Sequence, residues 1–334
     1  MDLRSFDGAN ACRFVAGRSR GHYESYFIRA NHPTRPLAFW IRYTIFSPRG
    51  RPDATVGELW AIVFNGESGR HVAAKTVVPW ERCRFSGHGL GVDVGDAHLG
   101  RRAARGSAGD GAGEIAWDLA VEAPDGPALL LLPRWLYGRP LPRAKSIVPA
   151  PAVRFSGTLR HGGEATSVDG WTGSQNHNWG SAHTDRYAWG QVSGFDDAPD
   201  AFFECATVRY RAFGGWTPPL TTAVLRLGDE VVELNALRPM VGATATIEGT
   251  RWAFESRAGE VTLRASFTAP QSAFVGLRYD NPPGGTKICQ NSKIARCDLE
   301  LVRRGRPTVR LQTQSRAAFE LLDDSAPPGL AVAV

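Results

Sequence analysis

Apolar residues recur at every second position in one short segment of this chain after another, and that period limits the fold more than any other feature. In Glu114 to Glu122, residues Ile115, Trp117, Leu119 and Val121 share one face while Glu114, Asp118 and Glu122 share the other, which describes a strand with one wet side. Val261 to Thr268 repeats the pattern. In Leu37 to Phe46, one face carries Phe39, Ile41, Tyr43 and Ile45, and the other Trp40, Arg42, Thr44 and Phe46. With aromatic rings on both sides, this strand is expected to be covered twice or to line a cavity. Turn chemistry separates the segments: Asn31 to Pro36, Ser47 to Pro52, Asn65-Gly66-Glu67-Ser68-Gly69 and Gly228-Asp229. Arg101 to Gly113 reads as a surface loop and the proline-rich Pro133 to Pro151 as a linker-like crossing. Only Ala317 to Leu322 hints at a helical stripe. The expected fold is all-β, with two antiparallel barrels in tandem and few or no helices.

A chain of 334 residues is long enough for two domains, each with its own core, and residues 1–181 and 182–334 are the expected halves. The net charge is +6, but Arg18, Arg20, Arg101, Arg102, Arg303 and Arg304 are scattered and not interleaved with aromatics. That pattern excludes a nucleic-acid stripe. Five cysteines (Cys12, Cys83, Cys205, Cys289 and Cys297) form an odd set without a C-x-x-C pair, which argues against a disulfide scaffold or a structural zinc. The first residues carry no apolar run of signal-peptide length, and Leu129 to Leu132 is too short to cross a bilayer. A soluble cytoplasmic protein is expected; its oligomeric state is open.

The chemistry-bearing stretch sits at the middle. Gly170 to Gly180, continued by His183 to Gly190, sets Trp171, Trp179, Trp189, Tyr187, His177 and His183 among small residues. Ring faces beside a few hydrogen-bonding groups suit an oily ligand polarised at one point; a Trp-rich turn that seals two sheets would look the same. His177 is the foremost candidate, as proton relay or hydrogen-bond donor, against the alternative of a histidine satisfying turn carbonyls. Trp179, Tyr187 and Trp189 are candidate ligand contacts that could equally be core, and Asn178 has a supporting role. His177, His183 and Asp185 could be drawn as a metal triad, but Gly180-Ser181 interrupts the strand and no fourth ligand stands nearby, so no metal is expected. Glu24 and Arg42, on neighbouring strands, are expected to form a structural ion pair. Gly87 to Gly91 lacks the strand-to-helix context of a phosphate cradle, and no nucleotide motif is found, so no cofactor is expected.

Three stretches together resemble the tandem lipocalin-like family of AttH-like proteins, carotenoid 1,2-hydratase and tocopherol cyclase-like proteins. They are Glu24 to Ala30 with Phe39 to Thr44, His177-Asn178-Trp179-Gly180 with Tyr187-Ala188-Trp189-Gly190, and Cys289 to Ile294. The resemblance implies two calycin-type barrels and a lipophilic site near His177 and Trp179. It further implies an acidic residue that protonates an isolated alkene. Where the hydratase pattern has Tyr and Asp on the following strand, this chain has Phe202, Phe203 and Glu204. Glu204 is the candidate acid, since an apolar strand would keep its carboxyl protonated, and Phe202 is a candidate ligand contact. The expected function is binding of an isoprenoid- or polyketide-like molecule in an apolar cavity, with cofactor-independent hydration, cyclisation or isomerisation by acid catalysis. A non-catalytic carrier or storage protein is the alternative.

Overall fold

The computed structural model describes residues 2–123, 125–212 and 214–334. Nearly all regular structure is antiparallel strand, in one 13-stranded and one 10-stranded sheet plus a small two-stranded ribbon. The strands of the larger sheet lie between His22 and Gly180, and those of the second between Arg186 and Asp323. Among the described residues the α-helices are two short ones, Phe6–Asn10 and Leu237–Gly242. The hydrogen-bonded ladders are open. The larger sheet runs from Val72–Pro79 at one edge to Cys83–Phe85 at the other. It still curls over itself, so that Val56–Asn65 and Val72–Pro79 pack across the core against Ala103–Ala108 and Ile115–Glu122.

The centre of the larger sheet is His22–Asn31, flanked by Leu37–Ser47 and Trp171–Gly180. All ten residues of His22–Asn31 are buried, so both faces are covered, as the double set of aromatics on Leu37–Ser47 requires. One face points into the sheet's own core, with Tyr26, Ile28, Phe39, Ile41 and Tyr43. On the other, Phe27 and Trp40 pack on the second sheet in a cluster with Trp189, Val192 and Ala206.

Polar side chains stitch the two sheets together. The Arg29 guanidinium donates to Gln191 Oε1 (2.8 Å) and Asn31 Oδ1 (2.7 Å), and Gln191 Nε2 donates to Asn176 Oδ1 (2.7 Å). Ser174 Oγ donates to the same Gln191 oxygen (2.7 Å), and Asn31 Nδ2 donates to the Lys293 carbonyl (2.6 Å). A buried polar seam this fully bonded fixes one docking of the halves, because a slip would strand several groups without partners.

Several expectations need correction. Ala317 to Leu322 is no helix; it lies within the strand Val309–Asp323, where neighbours on both sides complete its ladder. The supposed linker contains the start of Ala144–His161, an 18-residue strand. Its prolines, Pro149 and Pro151, fall where the pairing with Trp171–Gly180 slips register, the places where a sheet tolerates a missing donor. The supposed loop at Arg101 contains the strand Ala103–Ala108, paired to Ile115–Glu122. The small residues there leave no apolar signal to read. Glu24 and Arg42 do not pair. Arg42 stands opposite Phe27 and Glu24 opposite Ile45, so alternation sends the two side chains to opposite faces.

Candidate functional site

Alternation along Trp171–Gly180 divides the central motif between two environments. His177 turns into the larger sheet's own interior. Its Nε2 lies 2.8 Å from Glu24 Oε1 and its Nδ1 lies 2.7 Å from the Ala9 carbonyl oxygen, so both ring nitrogens face an oxygen. Tyr26 stacks on the ring at 4.2 Å, and Trp179 tilts against it at 4.9 Å. Glu24 also receives His22 Nε2 (2.9 Å), the Tyr26 hydroxyl (3.1 Å) and the Arg13 backbone N–H (2.7 Å). Burial pushes its carboxyl up, but the hydrogen bonds and charges of His177 and His22 outweigh burial and hold it well below the usual carboxylate range. Glu24, His177 and Tyr26 leave no buried polar side-chain atom without a partner. The first helix, Phe6–Asn10, is thereby tied to the sheet.

Asn178 points the other way, toward the junction of the two sheets. There a cavity of about 520 Å³ opens, lined on one side by Tyr23, Phe27, Trp40, Arg42 and Asn178 and on the other by Tyr187, Trp189, Ala206, Thr222 and Glu320. Segment Leu131–Ser146 and helix residues Leu237 and Met240 complete its walls. Of the sequence candidates, Asn178, Tyr187 and Trp189 line this cavity; His177, Trp179, Glu204 and Phe202 do not. Phe202 is packed with Leu129, Val148 and Val224. Trp179 lies in a cluster with Leu3, Ala9 and Tyr137.

Glu204 sits one layer behind the wall. It shares a strand face with Ala206 and Val208, both of which line the cavity. Its Oε1 receives the Trp189 indole N–H (3.0 Å), while Oε2 has no partner. Burial pushes its carboxyl up to about 7, against the opposing pull of the Trp189 hydrogen bond and the Arg29 charge. Three further buried polar atoms without partners belong to the wall: Trp40 Nε1, Arg42 Nε and Asn178 Oδ1.

Among the polar wall residues, Tyr23, Tyr279 and Glu320 were not candidates from the sequence, and His183 was considered only as a metal ligand. Tyr187 donates its hydroxyl to Glu320 Oε2 (3.1 Å), and Glu320 Oε1 receives Lys293 Nζ (2.7 Å) and Asn291 Nδ2 (3.1 Å). His183 lies between Tyr23 at 4.1 Å and Tyr279 at 5.5 Å. Burial holds its imidazole down to about 3, so it is neutral at ordinary pH. Tyr23, His183, Tyr279 and Glu320 come from four separate places in the chain; alternation could flag their strands but not their meeting. The triad His177, His183 and Asp185 is not assembled, and no cluster of metal-ligating side chains occurs among the described residues.

The small residues of the motif are required by close approach. A Cβ at Gly190 would lie 2.4 Å from the Phe267 ring, and one at Gly180 would lie 2.3 Å from the Arg143 carbonyl oxygen. Among the described residues no helix is long and apolar enough to cross a membrane.

No protein-family model matches the chain. An uncharacterised protein of Mycobacterium tuberculosis, found in two strains, is 26% identical over 187 residues, a match spanning 56% of this chain and 56% of that protein. The chain thus matches little more than half the length of those relatives. Among solved structures, an AttH protein of Nitrosomonas europaea superposes with TM-score 0.54 at 13% identity, covering 96% of this chain and 99% of that one. Kievitone hydratase from Nectria haematococca gives 0.52 at 13%, covering 96% and 97%. CghA, solved with Sch210972, gives 0.56 at 14%, covering 92% and 90%. Along nearly its whole length, the chain therefore has the fold of the AttH-like, lipocalin-type proteins.

Proposed function

We propose that the protein binds a lipophilic small molecule, isoprenoid- or polyketide-like, in the cavity between its two sheets. In this reading residues 1–181 and 182–334 are two barrel-like domains, and the ligand lies at their seam. Within it the protein carries out a cofactor-independent, acid-catalysed hydration, cyclisation or isomerisation. The observation that carries this reading is the cavity itself: about 520 Å³, with Trp, Tyr, Phe and Leu side chains in its wall beside polar groups, some of whose bonding is incomplete. Kievitone hydratase and CghA share the fold and add plausibility to small-molecule chemistry there.

Glu204 is the proposed acid. With its carboxyl pushed up to about 7, a large fraction is protonated near neutral pH. Transfer of that proton to an alkene carbon leaves a carbocation on the neighbouring carbon. The ring faces of Trp40, Tyr187 and Trp189 stabilise the cation. Water addition followed by loss of a proton from the oxonium, ring closure onto a second alkene followed by loss of a proton from the new cation, or direct loss of a different proton completes the three reactions, and each returns one proton to the Glu204 carboxylate. Because Trp189 stands bonded to Glu204 at the wall, the acid reaches the ligand when the indole gives way. Of the other candidates, Asn178, Tyr187 and Trp189 are proposed ligand contacts. His177 is proposed to act through the position of its strand, while Trp179 and Phe202 support the walls from behind.

The test is to incubate the purified protein with polyene and terpenoid candidates and to follow products by mass spectrometry. Turnover that falls steeply in Glu204→Gln is the expected outcome; turnover unchanged in both Glu204→Gln and His177→Ala removes the catalytic assignment. A carrier or storage role is favoured by one observation, that Glu204 lies behind the wall and not in it. An organic extract holding one unmodified ligand, with no product from any candidate, would establish the carrier.

A further inference from the structure

The cavity wall is apolar and aromatic, yet it contains buried positive charge without a counter-ion. Arg42 is 5% exposed and Lys145 is 7% exposed, and both line the cavity. Lys145 Nζ donates to the Pro142 carbonyl, and Arg42 donates one N–H to Ser25 Oγ at 2.6 Å. Neither forms a salt bridge among the described residues. The wall's carboxylates are otherwise engaged. Glu320 is neutralised by Lys293 at 2.7 Å, and Asp185 receives the Arg211 backbone N–H at 3.0 Å. Arg211 in turn is paired with Asp324 at 2.9 Å. The aromatic and imidazole groups around Arg42, namely Tyr23, His183 and Tyr279, carry no negative charge: burial raises the Tyr23 and Tyr279 phenols above their ordinary range and keeps His183 neutral.

The geometry of Arg42 shows which part of it is free. The guanidinium lies over the Tyr279 ring at 4.7 Å, so stacking takes one of its faces. Its Nε has no partner. A buried guanidinium stripped of water is costly unless charge-assisted hydrogen bonds compensate it, and a planar fork of N–H donors matches the two oxygens of a carboxylate or of a delocalised enolate. Ser25, which accepts a hydrogen bond from Arg42, stands directly opposite Asn178, and Arg42 and Asn178 both line the cavity.

We propose that the lipophile taken by this cavity carries one acidic oxygen group, a carboxylate or the enolate of an acidic carbonyl, and that Arg42 receives it. The inference rests on the proposed lipophile-binding role and narrows its ligand class. The apolar walls hold the hydrocarbon body, and Arg42 fixes which end lies against the larger sheet. An uncharged terpene would bury the same surface but leave Arg42 uncompensated.

The experiment compares dodecanoate with dodecanol, two probes of equal chain that differ at the head group. Each is titrated into the full-length protein against the fluorescent neutral lipophile phenylnaphthylamine. Wild type is expected to bind the acid at least about tenfold more tightly than the alcohol, the worth of a charge-assisted hydrogen bond. In Arg42→Gln the ratio falls toward one, and in Arg42→Lys, which keeps the charge, much of it is retained. If wild type binds both probes equally, or the preference survives Arg42→Gln, the inference is overturned while the lipophile-binding role stands. If neither the alcohol, the acid nor phenylnaphthylamine binds, the lipophile-binding role itself falls and the inference falls with it. Should Arg42→Gln not fold, Arg42→Met is the second variant: loss of the acid preference there supports the inference, and its survival overturns it.

Discussion

The two faces of the strand Trp171–Gly180 make opposite use of the same kind of residue. On one, Glu24, His177 and Tyr26 form a closed cluster in which each polar atom has found a partner. On the other, Trp40, Arg42, Asn178 and, one layer deeper, Glu204 surround a void and retain unpartnered atoms. A satisfied buried cluster contributes to stability and to a unique arrangement. Buried polar groups left incomplete beside a cavity lower stability and are retained where something else completes them. Histidine and carboxylate in one place therefore do not mark a site; incomplete bonding beside space does.

The largest expected effect lies on the closed face. Glu24→Ala removes the carboxylate that faces two histidines and a backbone N–H, and should destabilise the fold by about 3–5 kcal/mol in a denaturant titration. Lipophile affinity of the protein that remains folded should change little. A stability loss below about 1 kcal/mol would show that the cluster is no anchor. Because Glu24's carboxyl is held low, its contribution is present above the unfolded-state value and is lost only as strongly acid pH protonates it.

Glu204 has the opposite sign. A carboxyl raised from 4.5 to about 7 contributes fully below the unfolded value. That contribution is lost as pH rises through about 7, amounting to about 3 kcal/mol. Chemical denaturation from pH 4.5 to pH 8 should show wild type losing about 3 kcal/mol relative to Glu204→Gln over that range. Parallel profiles would mean that Glu204 titrates normally. His183 works against this trend over the acid part of the range. With its imidazole held to about 3, stability falls as pH drops from 6.5 toward 3. His183→Gln should flatten that acid limb, read by the same titrations.

Smaller again is Tyr187→Phe. It takes one donor from Glu320 and leaves the Lys293 contact in place, which should cost about 1–2 kcal/mol in stability. Because the hydroxyl belongs to the cavity wall, binding of a polar ligand should weaken at the same time. A change in stability without any change in binding would assign Tyr187 to the closed kind of cluster.

Much of the architecture was legible because alternation is a local property. The strands around Phe39, Ile115 and Val261 appear where their apolar period places them, and the double aromatic faces of Leu37–Ser47 correctly announced cover on both sides. Ala103–Ala108 and the start of Ala144–His161 were missed because small residues and prolines carry no period; their partners hold them in the ladder. In the central motif, alternation separates His177 from Asn178, but it cannot say which face meets a void. Tyr187 and Trp189 were recognisable as aromatic neighbours of the motif, whereas Arg42 was assigned to Glu24 on strand adjacency alone.

The sequence by itself determined that this is an antiparallel β protein with Trp, His and small residues gathered at its middle, since period and turn chemistry act over a few residues. Only the tertiary structure decided that the cavity opens on the Asn178 face and that His177 is sealed away from it. It also decided that Arg42 and Glu204 lie in or behind the cavity wall with bonding left incomplete. Those outcomes depend on how two sheets dock, and docking is set by contacts such as Arg29 with Gln191, 162 residues apart in the chain, which no local pattern records.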